Sequence, residues 1–274
     1  MSRFESDTAV ERRGGRAAGA VAGDVITYDG VIDPSWWVVM GPNGGYIAAI
    51  AARAVIDAAG GPGRRLHSLT VQYLRPPVEG PCTVEVRVER VGRGVSSVTF
   101  RMFQERGTVV TGVAALAVVR SSITVRELSM PDAPLPADVV VPPFPDGFTP
   151  IPMSQHFDNV PVFGTMLGTG EASGVARTGG WLRLAEPTPV DEVVLVAFCD
   201  GWWPPIMELG LGPMAVPTVD LTVHVRALPE DRTDFVLGEF ISPMAADGYV
   251  IEDARLWSRG GALLAESRQL AVLM

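Results

Sequence analysis

One stretch of sequence decides the fold: Gly41-Pro42-Asn43-Gly44-Gly45-Tyr46-Ile47-Ala48-Ala49-Ile50-Ala51-Ala52-Arg53-Ala54-Val55-Ile56. It is small and apolar almost all the way round, which predicts a helix buried on most of its sides. Asn43 is a good N-cap and Gly60-Gly61 is a good stop. Because a helix buried in this way needs a sheet around it, we expect the neighbouring segments to form strands.

Alternating apolar and polar residues predict those strands. We expect one around residues 4–12 and another around 24–31, before the helix. After it, alternation over 69–73, 84–89, 98–102 and 108–118, with glycine turns between the later strands, indicates an antiparallel meander.

A second half repeats this order beyond a segment rich in proline, residues 120–152. The prolines that interrupt regular structure there are Pro131, Pro134, Pro136, Pro142, Pro143, Pro145, Pro150 and Pro152. After this linker we expect strands around 156–163 and 174–184, a helix over 191–209, and strands around 216–226, 235–242, 248–257 and 262–273. Leu69-Thr70-Val71 is matched by Leu221-Thr222-Val223, which indicates an internal duplication.

These observations predict an α+β fold of two domains, residues 1–119 and 153–274. Each is expected to be an antiparallel sheet wrapped around a long central helix.

Composition limits the function. The 274 residues carry a net charge of −9, and every one of the 22 basic residues is arginine, so nucleic acid is an unexpected partner. No apolar run approaches the length of a membrane span, and the chain begins without the apolar region of a signal peptide. With only two cysteines, Cys82 and Cys199, a cytoplasmic location is expected, and the scattered histidines predict no metal site.

Several short motifs together resemble the acyl-CoA thioesterase II family, whose fold is the double hotdog. They are Gly41-Pro42-Asn43-Gly44-Gly45-Tyr46, His67-Ser68, Tyr73-Leu74-Arg75-Pro76, Phe198-Cys199-Asp200, Pro217-Thr218-Val219-Asp220 and Ser267-Arg268-Gln269. The resemblance covers the chain outside the linker and the first few residues. It implies hydrolysis of a fatty acyl-CoA, without a cofactor, by a water that Asp200, Thr218 and Gln269 hold.

The residues themselves support two of these three assignments. Asp200 lies among Phe198, Trp202 and Trp203, an apolar setting that raises the pKa of a carboxyl group. Gln269 shares a strand face with Ser267 and Ala271 that we expect to point inward, where a buried amide needs partners. A local structural role remains the alternative for each.

Thr218 is harder to assign from sequence. Strict alternation places it on the face opposite Val219, Leu221 and Val223, unless Pro217 twists the strand entry, and the sequence leaves the two possibilities open. Asp220 is the neighbouring polar alternative.

For substrate binding we expect Gly44, Gly45, Tyr46 and Trp202. Backbone N–H groups at the two glycines could approach an anion, although close packing of the helix explains them equally well.

We also expect one site per chain. Aligning the halves places Gly44 against Asp200 and Ala115 against Gln269, so the first half lacks both polar groups. The oligomeric state is open, a homo-oligomer included.

Two other functions are alternatives to thioester hydrolysis. A hotdog enoyl-CoA hydratase needs an Asp and a His near the start of the helix, and residues 44–56 contain neither. A binding protein for acyl thioesters that has lost turnover would keep the fold. No Gly-x-Ser-x-Gly motif is present, which disfavours a hydrolase with a serine nucleophile.

Overall fold

The computed structural model describes residues 1–13, 20–144, 146–147, 149–165, 170–212 and 214–274. The first half contains α1 (Arg3–Asp7), β1 (Val10–Arg12), β2 (Val25–Ile32), α2 (Gly44–Ala59), β3 (Arg64–Tyr73), β4 (Gly80–Val91), β5 (Val95–Gln104) and β6 (Gly107–Val118). The second half contains β7 (Phe157–Phe163), β8 (Arg177–Leu184), α3 (Glu192–Phe198), β9 (Thr218–Val225), β10 (Val236–Ala246), β11 (Tyr249–Ser258) and β12 (Leu263–Val272).

Helix α2 is the buried helix that the sequence predicts. The side chain of Asn43 accepts a hydrogen bond from the Tyr46 N–H at 2.8 Å and so caps the first turn. At the other end the Gly60 N–H donates to the Ile56 carbonyl at 2.8 Å. Most of the helix is buried against strands of the first half and against α3. Among the described residues no helix, α2 included, is long and apolar enough to cross a membrane.

The twelve strands of the described residues form one antiparallel sheet, in the order β1-β2-β4-β5-β6-β3-β9-β12-β11-β10-β8-β7. The two halves join where β3 pairs with β9, and Thr70 lies opposite Thr222 with the hydroxyl oxygens 3.0 Å apart. These two threonines are equivalent positions of the duplication, so a pseudo-twofold axis passes between them. The structure therefore has one continuous sheet where two separate sheets were expected.

The first predicted strand, around residues 4–12, is mostly a helix. Ser2 caps α1 by accepting from the Glu5 N–H at 3.4 Å, while the Glu5 carboxylate accepts from the Ser2 N–H at 2.7 Å. This reciprocal capping box stabilises a helical turn, so only Val10–Arg12 pairs as a strand.

The second predicted helix is shorter than expected. Helix α3 ends at Phe198, and Pro205–Leu209 forms a separate 3₁₀ turn. Pro204 and Pro205 have no N–H to continue a helical ladder, so the chain leaves the helix just before Asp200. The first half thus has a long buried helix, whereas the long helix expected in the second half is wrong.

The proline-rich segment 120–152 runs along the outside of the second half. Its described part contains no strand and one complete 3₁₀ turn, Pro136–Asp138, and a second turn, Pro152–His156, begins at its last residue. The Trp181 indole N–H donates to the Pro134 carbonyl at 2.8 Å, which fastens the segment to the sheet. Pro145 lies outside the described residues.

The join between the halves makes a testable prediction about stability. Leu221 lies on β9 and is fully buried, so Leu221→Ala should lower the free energy of unfolding by about 2–5 kcal/mol. Val113→Ala, on the exposed face of β6, should change it by less than about 0.5 kcal/mol. Urea denaturation measures both, and equal effects would contradict the assignment of Leu221 to the shared core.

Candidate active site

Asp200 connects the two halves of the molecule. It follows the end of α3, and its carboxylate lies at the beginning of α2. The Oδ2 atom accepts hydrogen bonds from the Gly45 N–H at 2.9 Å and from the Asn43 amide Nδ2 at 2.8 Å. The same amide donates to the Asp200 carbonyl at 2.8 Å. The N-terminus of α2, in the first half, thus binds the residue that follows the C-terminus of α3, in the second half.

The two glycines at the start of α2 allow this close approach. A Cβ atom at Gly45 would lie 2.7 Å from the Ala197 carbonyl oxygen and 2.9 Å from the Asp200 Cβ. One at Gly44 would lie 3.0 Å from Asp200 Oδ2. The sequence left open whether these glycines serve packing or the approach to a substrate anion. The structure shows the close packing, and the Gly45 N–H donates to Asp200, so the approach of these N–H groups to a substrate anion remains a prediction.

Burial raises the pKa of Asp200 from 3.8 to about 6. Hydrogen bonds from Gly45, Gln269, Gly44 and Asn43 act in the opposite direction but do not cancel the loss of hydration. The expectation of a raised pKa is confirmed. At neutral pH the carboxyl group is ionised yet close to the point at which it takes up a proton.

Gln269 links Asp200 to Thr218. It is 6% exposed and shares the inward face of β12 with Ser267 and Ala271, which are also buried, so the predicted orientation is confirmed. Its Oε1 atom accepts a hydrogen bond from the Thr218 hydroxyl at 2.9 Å. Its Nε2 atom lies 3.5 Å from Asp200 Oδ1. The structure thus brings the three residues together.

Thr218 reaches this position because of a β-bulge. Leu221 pairs with Gln269, but the register then shifts, and Thr218 pairs with Ala271. The extra residue on β9 turns Thr218 to the same face as Leu221. Strict alternation, which assigned Thr218 to the opposite face, is therefore wrong at this strand entry.

Sequence reasoning missed the contacts of Glu252, Asn43 and Tyr73. The Gln269 Nε2 atom donates to Glu252 Oε1 at 2.7 Å, and Glu252 is 6% exposed. The Tyr73 hydroxyl donates to the Gly44 carbonyl at 2.7 Å. One signal for Glu252 was available, since it occupies an inward position of an alternating strand between Val250 and Ala254.

Tyr46 and Trp202 lie within the packed core. The Tyr46 hydroxyl donates to the Asp7 carbonyl at 2.9 Å and accepts from the Asp33 N–H at 3.0 Å, and its ring stacks on Trp36. Trp202 is 6% exposed, with its ring centroid 4.7 Å from that of Trp203. Their expected contact with substrate remains a prediction.

Neither cysteine suits a nucleophilic role. Burial raises the pKa of Cys199, which adjoins Asp200, to about 12, and it does the same for Cys82. A thiol with such a pKa is almost wholly protonated at neutral pH, whereas the thiolate is the reactive form.

Two family models match the chain. The acyl-CoA thioesterase N-terminal domain matches residues 33–118, and the acyl-CoA thioesterase C-terminal domain matches residues 136–273. A comparison with curated protein sequences found no match.

Solved structures agree with this class. A conserved protein of unknown function with a hot dog fold from Alicyclobacillus acidocaldarius is 28% identical with a TM-score of 0.87, over 100% of this chain and 98% of that one. A putative thioesterase II from Thermobifida fusca is 25% identical with a TM-score of 0.79, over the same shares of the two chains. An acyl-CoA thioesterase II of Mycobacterium marinum shares the fold at 18% identity, with a TM-score of 0.75, over 99% of this chain and 98% of that one.

The fold is thus of the hot dog class. The chain belongs to the acyl-CoA thioesterase family, and it is a thioester hydrolase.

The close contact at the start of α2 makes a prediction about activity. Gly45→Ala should lower turnover by about 10²-fold, because its Cβ would push the helix start away from Asp200. Gly41→Ala is the matched control, since its Cβ would meet nothing nearer than Pro76 at 4.0 Å. Thioester hydrolysis by the two folded variants is the measurement. If both variants retain full activity, the close approach of α2 to Asp200 does not matter for turnover.

Proposed function

We propose that this protein hydrolyses a fatty acyl-CoA on a double-hotdog scaffold, with a water held by Asp200, Thr218 and Gln269. One observation carries the assignment of the base. Asp200 Oδ2 accepts two short hydrogen bonds, whereas Oδ1 has, among the described residues, only the 3.5 Å contact with Gln269. Oδ1 is therefore the oxygen with capacity to accept a proton.

The hydrogen bonds of the other two residues support an ordered water. The Thr218 hydroxyl donates its proton to Gln269, so its oxygen keeps lone pairs that can accept from water. A water that donates one hydrogen to the Thr218 hydroxyl oxygen and the other to Asp200 Oδ1 keeps its oxygen lone pairs free. Such a water can attack the carbonyl carbon of a bound thioester. Gln269 fixes the separation of the two acceptors by contacting both.

The chemistry then needs two steps. The water oxygen attacks the thioester carbonyl carbon while Asp200 Oδ1 takes one of its protons, and a tetrahedral intermediate with a negative oxygen forms. That intermediate collapses, the bond from carbon to sulfur breaks, and the coenzyme A sulfur leaves with the proton from Asp200. The products are the free acid and coenzyme A, and Asp200 is again ionised.

The thioester of coenzyme A is the substrate that the family descriptions favour, and the fatty acyl chain is part of this proposal. A hydratase is less well supported, because α2 carries neither the acid nor the histidine such an enzyme needs near its start. A protein that only binds acyl thioesters would need no carboxyl group poised near neutral pH. The raised pKa of Asp200 thus favours turnover.

Removal of the base tests the mechanism. Asp200→Asn keeps the shape of the side chain and should lower kcat by about 10²-fold or more. Asp220→Asn is the matched control, because Asp220 is the neighbouring carboxylate on β9 but makes no hydrogen bond to Gln269 or Thr218 in the described structure. Release of free thiol from acyl-CoAs of graded chain length measures both. Loss of turnover only in the Asp220 variant would reverse the assignment, and no thiol release by the unmodified protein would favour the binding role.

The pKa of Asp200 predicts the dependence of activity on pH. The base must be ionised to accept a proton, so kcat/KM should be constant above pH about 6 and fall about tenfold per pH unit below it. A pH profile measured with one acyl-CoA tests this. An acid limb near pH about 4, the range of an ordinary aspartate, would indicate a base in a more hydrated setting.

A further inference from the structure

Glu252 is a buried carboxyl group for which the mechanism above has no use. It lies on β11 directly opposite Gln269 on β12, and only 6% of its surface is exposed. Its Oε1 atom accepts the 2.7 Å hydrogen bond from Gln269 Nε2, which is shorter than the 3.5 Å contact of the same nitrogen with Asp200. The amide of Gln269 is therefore held more closely by Glu252 than by Asp200.

Two carboxyl groups, Glu252 buried and Asp200 partly buried, thus share one amide group, but their surroundings differ. Asp200 also accepts from Gly45 and Asn43, which stabilise its anion. In the part of the chain that the structure describes, Glu252 forms no ion pair, and the charged groups that bear on it, Asp200 and Asp253, are both acidic. A buried carboxylate without a cation is costly, and a second one beside it adds repulsion, so a single negative charge is favoured and it belongs on Asp200. In agreement, burial and the nearby Asp200 raise the pKa of Glu252 well above its ordinary value.

The orientation of the Gln269 amide matters for the site. An amide can turn over with little change in shape, which exchanges its oxygen and its nitrogen. The active orientation directs Oε1 to Thr218 and Nε2 to Asp200. An acceptor at 2.7 Å on the Nε2 side favours that orientation, whereas the long contact with Asp200 alone would hold it weakly.

We propose that Glu252 is a positioning residue for thioester hydrolysis: as a neutral carboxyl group, it accepts the hydrogen bond that fixes the Gln269 amide between Thr218 and Asp200. This proposal rests on the proposed function. It assigns to Glu252 no contact with the substrate and no proton transfer during the reaction.

Two substitutions at this position test the role. Glu252→Gln keeps a neutral side chain of the same length with a carbonyl acceptor, so turnover should stay within about threefold, with the same acid limb in the pH profile. Glu252→Ala removes the acceptor and should lower kcat by about tenfold, the rate equivalent of one neutral hydrogen bond, with little change in KM. Asp253→Asn is the control on the same strand, since Asp253 pairs with Arg268 on the opposite face. It should leave turnover unchanged.

The outcomes separate positioning from a merely structural role. Full turnover in a folded Glu252→Ala protein would overturn the proposal. So would a Glu252→Gln protein as slow as the alanine variant, or one whose acid limb moves to lower pH, because each would mean that Glu252 acts as an ion.

A second measurement does not depend on turnover. Carbon-13 NMR of the glutamate carboxyl groups, with Glu252 identified by its absence in Glu252→Gln, should show a protonated carboxyl at pH 7. The Gln269 side-chain amide signals should be alike in the unmodified protein and Glu252→Gln, and shifted in Glu252→Ala. An ionised Glu252 would overturn this proposal whether or not acyl-CoA is hydrolysed. Absence of hydrolysis together with a protonated Glu252 would count only against the proposed function.

Discussion

The hydrogen bonds from the start of α2 to Asp200 are the constraint on which the rest of the site depends. The Gly45 N–H and the Asn43 amide bind one oxygen of a carboxylate that has lost most of its hydration. The partial positive charge at a helix N-terminus favours an anion at this place. These donors lower the pKa of Asp200 and burial raises it, and the balance leaves a base close to neutral pH. The remaining oxygen is directed to Gln269, so the same contacts also orient the base.

The arrangement requires the two halves to be joined. Asn43 and Gly45 belong to the first half, whereas Asp200, Thr218 and Gln269 belong to the second. The pairing of β3 with β9 sets the register between the halves, and the bulge at the start of β9 directs Thr218 inward. A slip of one residue in either pairing would turn the side chains of a whole strand to the other face. Precision at the site is therefore a property of the continuous sheet.

Much of the fold and of the candidate site could be predicted from sequence. The physical basis of the correct predictions also explains why others were wrong. The caps of α2 and the inward face of Gln269 depend on local chemistry and on alternation, which sequence displays directly. The bulge at Thr218 breaks alternation at a strand entry, where Pro217 was the one sequence signal of an irregularity, so alternation alone could not assign the face of Thr218. The early end of α3 required weighing Pro204 and Pro205 as a stop, where we had expected the helix to continue to residue 209. The contact of Asn43 with Asp200 spans 157 positions along the chain, and no local pattern reports on such a distance.

The duplicated fold carries its polar network in only one half, and the structure gives a physical reason. The helix caps, Asn43 and Asp191, are the equivalent positions at the starts of α2 and α3. Asp200 lies nine residues after the cap Asp191, and Ala52 lies nine residues after the cap Asn43. The structural equivalent of Asp200 is therefore Ala52, and the sequence alignment of Asp200 with Gly44 is wrong. Ala52 is fully buried inside a continuous helix, where a carboxylate would have no donors. The strand registers also correct the alignment of Ala115 with Gln269. Leu221 lies opposite Gln269, and its equivalent Leu69 lies opposite Ala114, so Val98 faces Ala114 where Glu252 faces Gln269. A buried network of charged and amide groups is costly unless each member is satisfied. The first half supplies apolar packing from its long alanine-rich helix, and the start of that helix donates hydrogen bonds to Asp200. The second half can therefore end its helix before Asp200 and still satisfy the carboxylate.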